Sequence, residues 1–284
     1  MSDKSKKVKL KVELFDGFEK RNLYDSSLHY FLNNLKILST LNKVLPSSID
    51  AYCDQEFKKL KIQQMSFDED DQREWDKYLN FVQRTIEGST KMKSFQTENA
   101  KVAKIIYNGV DIFMYKSRFK MFVREMSLVY LITCFEELLQ STLKITFTTC
   151  PDTLKSSQKT LTYEEILKQK EISDMLECLI EKETTSVIHE DIDGINKYLK
   201  RNFGLDLALA NGWHLFRERF YRRNIVVHNN CYPNRIYRQK AKYRGKDVRL
   251  SISRQYLSRS YKLFQKFGEQ IHKYFIEKFA GTAF

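Results

Sequence analysis

Proline occurs 3 times and glycine 9 times in 284 residues, well under the roughly 5% and 7% of ordinary usage. So few turn-formers cannot punctuate many short strands, and long helices are expected instead. The five cysteines, Cys53, Cys134, Cys150, Cys178 and Cys231, are scattered and form no CxxC pair. That spacing argues against a disulfide framework and a zinc site and suits a reducing cytoplasm. The strings GxxxxGK[ST], HExxH and GxSxG are missing as well. P-loop hydrolysis, zinc proteolysis and the common serine-hydrolase elbow therefore have no support, and no cofactor is implied. The uncharged apolar run at 127–135 falls far short of the roughly 20 residues of a membrane span. The opening MSDKSKKVKLKVELF is basic but lacks the apolar core of a secretion signal. It reads as a solvated tail.

What the chain has in excess is positive charge, 49 Lys and Arg against 36 Asp and Glu. Across 217–262 there are fourteen basic residues and two acids, Glu218 and Asp247, so nearly all of the formal excess of 13 lies there. The same stretch carries Tyr221, Tyr232, Tyr237, Tyr243, Tyr256 and Tyr261. Cations attract phosphates and aromatic faces stack on unpaired bases, so the mixture suits single-stranded or looped RNA. A solvated basic surface over a tyrosine-lined core fits the composition equally well. The opposite balance occurs at 67–76, FDEDDQREWD, whose acids suit the electropositive start of a helix better than a metal site.

Hydrophobic spacing predicts an all-α fold. A helix over 23–45, marked by Leu28, Phe31, Leu32, Leu35, Leu38 and Leu41, is expected to end at Pro46. Shorter helical patterns cover 49–65 and 73–87, and polar residues 88–100 form a connection. The strongest helix spans about 116–147, with a stripe of Phe122, Met126, Val129, Ile132, Phe135, Leu139 and Leu143. Leu128, Leu131 and Leu138 widen the stripe enough to place it at the centre of a bundle. Further helices are expected over 163–180, from Asp191/Asp193 to Gly204, from about Asp206 to Val227, and over 254–279. Residues 235–243 and 248–253, flanking Gly245-Lys246-Asp247, read as a short basic β-hairpin. The resulting division is a basic tail (1–15), an N-terminal helical region (16–100) and a helical bundle domain (101–284).

Of the five histidines, His228 has the most suggestive setting, RERFYRRNIVVHNN. Arg223 and Asn224, the aliphatic filler Ile225-Val226-Val227, then His228 and Asn229 together resemble the R-[polar]-x3-H signature of the HEPN superfamily, one form of Rx4-6H. The helix containing CFEELLQSTL is similar to the central bundle helix of such proteins, and the resemblance covers about 116–279. It implies a helical bundle, a homodimer and a metal-independent endoribonuclease of toxin or antiphage type, acting on tRNA or another structured RNA. An antitoxin partner also follows from it, and a separate reading is a subunit whose N-terminal helices dock a sensor or ATPase. Toxins of this type that are silenced by a nucleotidyltransferase often carry a tyrosine two residues after the histidine. Asn230 stands there and Tyr232 lies two further on, so that regulation is not expected.

At 3.6 residues per turn Asn224 and His228 stand one above the other, and Arg217 and Tyr221 extend the stripe. Arg223 and His228 are about 140° apart around a regular helix. They converge only if the helix ends near His228 or a second protomer supplies the partner. The resemblance implies catalytic roles for Arg223, Asn224 and His228. An imidazole can act as base or acid near neutral pH, and a guanidinium can stabilise charge on a phosphate. Glu218 and Arg222, four apart, suit a supporting ion pair. Arg219, Arg222, Tyr221, Asn229, Arg235, Arg238, Lys240 and Lys242 complete the RNA-binding or supporting set. His29 and His272 fall within helices, His214 is expected to pack beside Trp213, and His189 in VIHEDID reads as a solvated helix start. The alternative function is a non-catalytic RNA-binding or partner-docking module using the same basic face.

Overall fold

The computed structural model of the chain describes residues 17–87, 94–156, 159–169 and 171–281. The basic tail and part of the polar connection lie outside them. Among the described residues there are nine α-helices and no strand: α1 (Gly17–Gln64), α2 (Glu69–Ile86), α3 (Ala100–Thr149), α4 (Tyr163–Lys168), α5 (Ile172–Ile188), α6 (Ile192–Phe203), α7 (Trp213–His228), α8 (Arg235–Lys240) and α9 (Arg254–Phe275). The chain is all-α, as the shortage of proline and glycine implies.

Two compact units emerge. One contains Thr40–Met126, and the other contains the described residues up to Ser39 together with those from Ser127 onward. Helices α1 and α3 each contribute residues to both units.

In the Thr40–Met126 unit, the acidic run starts α2. Asp68 accepts the amides of Asp70 and Asp71, and Asp71 reaches back to the Asp68 amide in a capping box. Asp71 is buried and also takes Asn99 Nδ2 at 2.7 Å and Lys101 Nζ at 3.0 Å. Asn99 in turn caps α3 by accepting the amides of Lys101 and Val102. The predicted end at Pro46 is corrected: α1 passes straight through it. A helical proline loses one amide bond and crowds the preceding turn. Here the hydroxyls of Ser47 and Ser48 bond the carbonyls of Lys43 and Val44, and Pro46 itself is buried.

The other unit is built around the second half of α3. Leu128, Leu131, Ile132, Phe135, Leu138, Leu139 and Leu143 are all buried. Phe135 meets Phe31 of α1, Phe216 and Phe220 of α7, and Phe264 of α9 at ring-centroid distances of 5.0–6.3 Å. Phe216 and Phe267 stack at 4.1 Å. The expected stripe holds from Ile132 onward. Phe122 and Met126 stand exposed instead, while Val123 and Ser127 one position on are buried.

Three further expectations change. The pattern at 163–180 resolves into α4 and α5, and the helix expected from Asp206 becomes a short 3₁₀ turn at Leu207–Leu209 before α7. No hairpin forms at 235–253. Asn234 accepts the Tyr237 amide at 2.8 Å and starts α8, which buries the Tyr237 ring. His214 is exposed, because Trp213 takes the contacts with Phe216 and Phe267.

Helix α9 packs tightly against α1 and α3 at Gly268, where a Cβ would lie 2.5 Å from a Phe31 ring carbon and 3.1 Å from a Leu138 methyl. Gly268→Ala should therefore lower stability by about 1–3 kcal/mol, the usual cost of overpacking. Urea unfolding would show a lower midpoint at unchanged slope. An unchanged midpoint would mean that the Phe31 ring has room to move aside.

Candidate functional site

Helix α7 carries the charged motif, and its flanks meet different chemistry. On the inner flank, Glu218 collects four donors: Tyr237 Oη at 2.7 Å, Tyr256 Oη at 2.8 Å, and Arg219 Nη1 and Arg222 Nε each at 3.1 Å. Arg219 also donates to Ser260 Oγ and to the Leu215 carbonyl, and its guanidinium lies over the Tyr256 ring. Arg222 lies over the rings of Tyr237 and Tyr256. Burial, and then the charge of Glu218, push both tyrosine hydroxyls well above their ordinary range, so they stay protonated donors. The expected Glu218–Arg222 ion pair forms. With side chains 6% and 12% exposed, Arg219 and Arg222 serve the protein's own packing rather than a solvent-facing RNA surface.

A second carboxylate cluster holds the opposite flank. Asp193 of α6 pairs with Arg217 and accepts from Tyr221 Oη at 2.9 Å and Lys240 Nζ at 2.9 Å. Asp191 caps α6 through the Gly194 amide and also accepts from Tyr221. Burial works to raise the Asp193 pKa. The bonds from Arg217, Lys240 and Tyr221 outweigh it and hold the carboxyl well below the usual range. Arg217 and Tyr221 therefore brace α7 against α6, and Lys240 ties α8 to the same carboxylates.

Between these flanks opens a cleft of about 400 Å³, lined by Glu136 of α3, His189, Glu190 and Asp191 of the α5–α6 turn, and Tyr221, Arg223 and Asn224 of α7, among others. Arg223 Nη2 donates to Glu136 Oε1 at 2.6 Å, and Arg223 Nε is buried without a partner. Burial pushes the Glu136 carboxyl above its usual range, and the charges of Arg223 and His189 only partly oppose the rise. His228 does not line this cleft. It is the last residue of α7, exposed, one turn beyond the exposed Asn224. Neither side chain makes a hydrogen bond among the described residues.

The helix stops there for a local reason. Cys231 N–H reaches back to the Ile225 carbonyl at 2.9 Å, and Asn229 Nδ2 holds the Tyr232 carbonyl at 2.7 Å. Asn230 and Cys231 both adopt positive φ, 48° and 66°, which is uncommon for residues other than glycine. Beyond the turn, Arg238 bonds the Gly245 carbonyl and pairs with Asp247 at 3.3 Å. Arg235 and Lys242 are exposed, as are Arg244 and Lys246, and none of the four forms an ion pair among the described residues. The structure thus gathers Arg223 and Asn224 in one cleft with His189 and sets His228 at the adjoining helix end. Sequence reasoning did not select Glu136 or His189, because both reach the motif only through the fold. Among the described residues no group of three or more His, Cys, Asp or Glu is placed to hold a metal ion, and no helix is long and apolar enough to cross a membrane.

Asp193→Asn should lower stability at neutral pH by about 1–2 kcal/mol, a figure discounted for the solvent that reaches these ion pairs. A carboxyl with a depressed folded pKa adds stability that is present above its unfolded value and lost as pH falls. The gap between wild type and variant in thermal unfolding should therefore narrow below about pH 4. A gap independent of pH would show that the network is not ionic. No protein-family model, no curated protein and no solved structure matches the chain.

Proposed function

We propose that the protein is a metal-independent endoribonuclease of HEPN type, acting on RNA through Arg223, Asn224 and His228. The observation that carries the reading is the end of α7. The helix stops at His228, so Asn224 and His228 face solvent one turn apart with their side chains uncommitted, and Asn224 shares the cleft with Arg223.

RNA brings its own nucleophile, the 2′-OH, so a base that removes this proton suffices. The His228 imidazole takes the proton, the 2′-oxygen bonds to phosphorus, and the P–O5′ bond breaks. An imidazolium, supplied by His228 of a second copy, returns a proton to the 5′-oxygen. The products are a 2′,3′-cyclic phosphate and a 5′-OH end. Arg223 offsets the charge that builds on the phosphate and Asn224 orients it. Arg235, Lys242, Arg244 and Lys246 draw the RNA backbone towards α7. Val227, Tyr232 and Ile236, exposed around His228, give the second copy an apolar surface to meet. A cytoplasmic toxin or antiphage role on tRNA or another structured RNA, restrained by an antitoxin or triggered by a sensor/ATPase, completes the proposal.

Purified protein incubated with total tRNA and mRNA in EDTA should leave cyclic-phosphate ends, with His228→Ala and Arg223→Ala each at least about 100-fold slower. RNA that binds tightly yet stays intact would favour the non-catalytic binding module. Equal cutting by all three proteins would overturn the assignment of the site.

A further inference from the structure

The cleft at Arg223 contains an imidazole for which the scheme above has no use. His189 caps the C-terminal end of α5, its own N–H bonded to the Thr185 carbonyl at 3.1 Å, so its backbone is fixed. Its side chain is exposed, makes no hydrogen bond among the described residues, and lines the cleft with Arg223 and Asn224. Arg223 offers a second unspent group. One N–H goes to Glu136, while the buried Nε has no acceptor. That nitrogen is closed to solvent, but the side chain is 27% exposed, so its free terminal N–H groups can meet an anionic oxygen in the cleft.

The carboxylates that face the cleft do not close it to an anion. Glu136 is engaged by Arg223. Asp191 is engaged by Tyr221 at 3.0 Å and by Lys240 at 3.4 Å. Glu190 lies against Gly194 in the first turn of α6, where the helix end favours negative charge. The groups left to meet a ligand are the terminal N–H groups of Arg223 that Glu136 does not take, the Asn224 amide and the His189 ring, a set suited to phosphate oxygens.

We propose that this cleft is a phosphodiester subsite, and that His189 touches the RNA backbone there beside the Arg223 guanidinium. The inference rests on the nuclease reading and adds to it a contact from the α5–α6 turn, made within the same copy of the chain as Arg223. His189 is thus a binding and positioning residue for the strand that α7 cuts.

The test uses the full chain and a 2′-O-methyl RNA oligonucleotide, which offers the backbone but no attacking hydroxyl. Side-chain NMR of ring-labelled histidines should show the His189 signals moving on saturation, with the movement lost in Arg223→Ala. His189→Ala should bind this RNA about tenfold more weakly and lose about tenfold in kcat/KM on unmodified RNA, a difference of about 1.4 kcal/mol. His189→Asn, which keeps a donor, should recover part of both. Movement of His189 without cutting of unmodified RNA would sink the nuclease reading and leave the subsite standing. Cutting with His189 unmoved, or with His189→Ala equal to wild type in binding and rate, would overturn the subsite and spare the nuclease. RNA that does not bind at all would end both.

Discussion

The sequence of α7 forces a charge problem that the surrounding helices exist to solve. A helix that reads RERFYRRN turns cations to every side, including the side that must pack. An unpaired buried charge costs several kcal/mol, so each inward cation needs a partner with good geometry. Glu218 answers this for Arg219 and Arg222, but only with the hydroxyls of Tyr237 and Tyr256 completing its shell. Asp193 answers it for Arg217, with Tyr221 and Lys240 completing that one. Since these partners come from α6, α8 and α9, neutralising α7 also fixes where those elements lie. What is left over, Arg223, Asn224 and His228, is held on a helix that cannot easily rotate.

Aromatic packing does the complementary work beneath it. Phe216 and Phe220 reach Phe135 and Phe264 from the apolar stripe of α7. Rotation of α7 large enough to bring His228 over the cleft would pull both rings out of a close-packed core. Charge and packing therefore agree on a single register, and the separation of His228 from the cleft is a consequence of the fold rather than a slack position. That separation gives the site two faces, a cleft at Arg223 and an open helix end at His228.

Much of this was legible where one residue decides local structure. The acidic start of α2, the Asp191 start and Gly204 end of α6, and the buried run of α3 follow from capping and periodicity. Reading failed where distant packing overrode the local signal. Pro46 is a helix breaker by itself, yet it sits buried inside α1, where the Ser47 and Ser48 hydroxyls bond the carbonyls of Lys43 and Val44. Gly245-Lys246-Asp247 reads as a hairpin turn between 235–243 and 248–253, but Tyr237, buried and bonded to Glu218, lies in a helical turn instead. The motif arginines were equally opaque. Nothing in RERFYRRN tells Arg219 and Arg222, which are spent inside the protein, from Arg223, which borders the cleft.

Glu136 shows why the cleft itself escaped notice. It lies 87 residues from Arg223 in sequence, and in CFEELLQ it looks like any helix-surface glutamate. In the fold it is largely withdrawn from water, which raises its hold on a proton, while the guanidinium at 2.6 Å favours the charged form. The two effects pull in opposite directions, so the pair is a weaker clamp than an exposed count of charges suggests. A ligand phosphate competes with this carboxylate for Arg223 and need not displace it, because a guanidinium presents five donors and Glu136 occupies one. Glu136 can thus aim Arg223 into the cleft while leaving its remaining donors to whatever enters. That is the arrangement expected of a positioning carboxylate, and it makes the orientation of Arg223, more than its charge, the property that the fold of this unit protects.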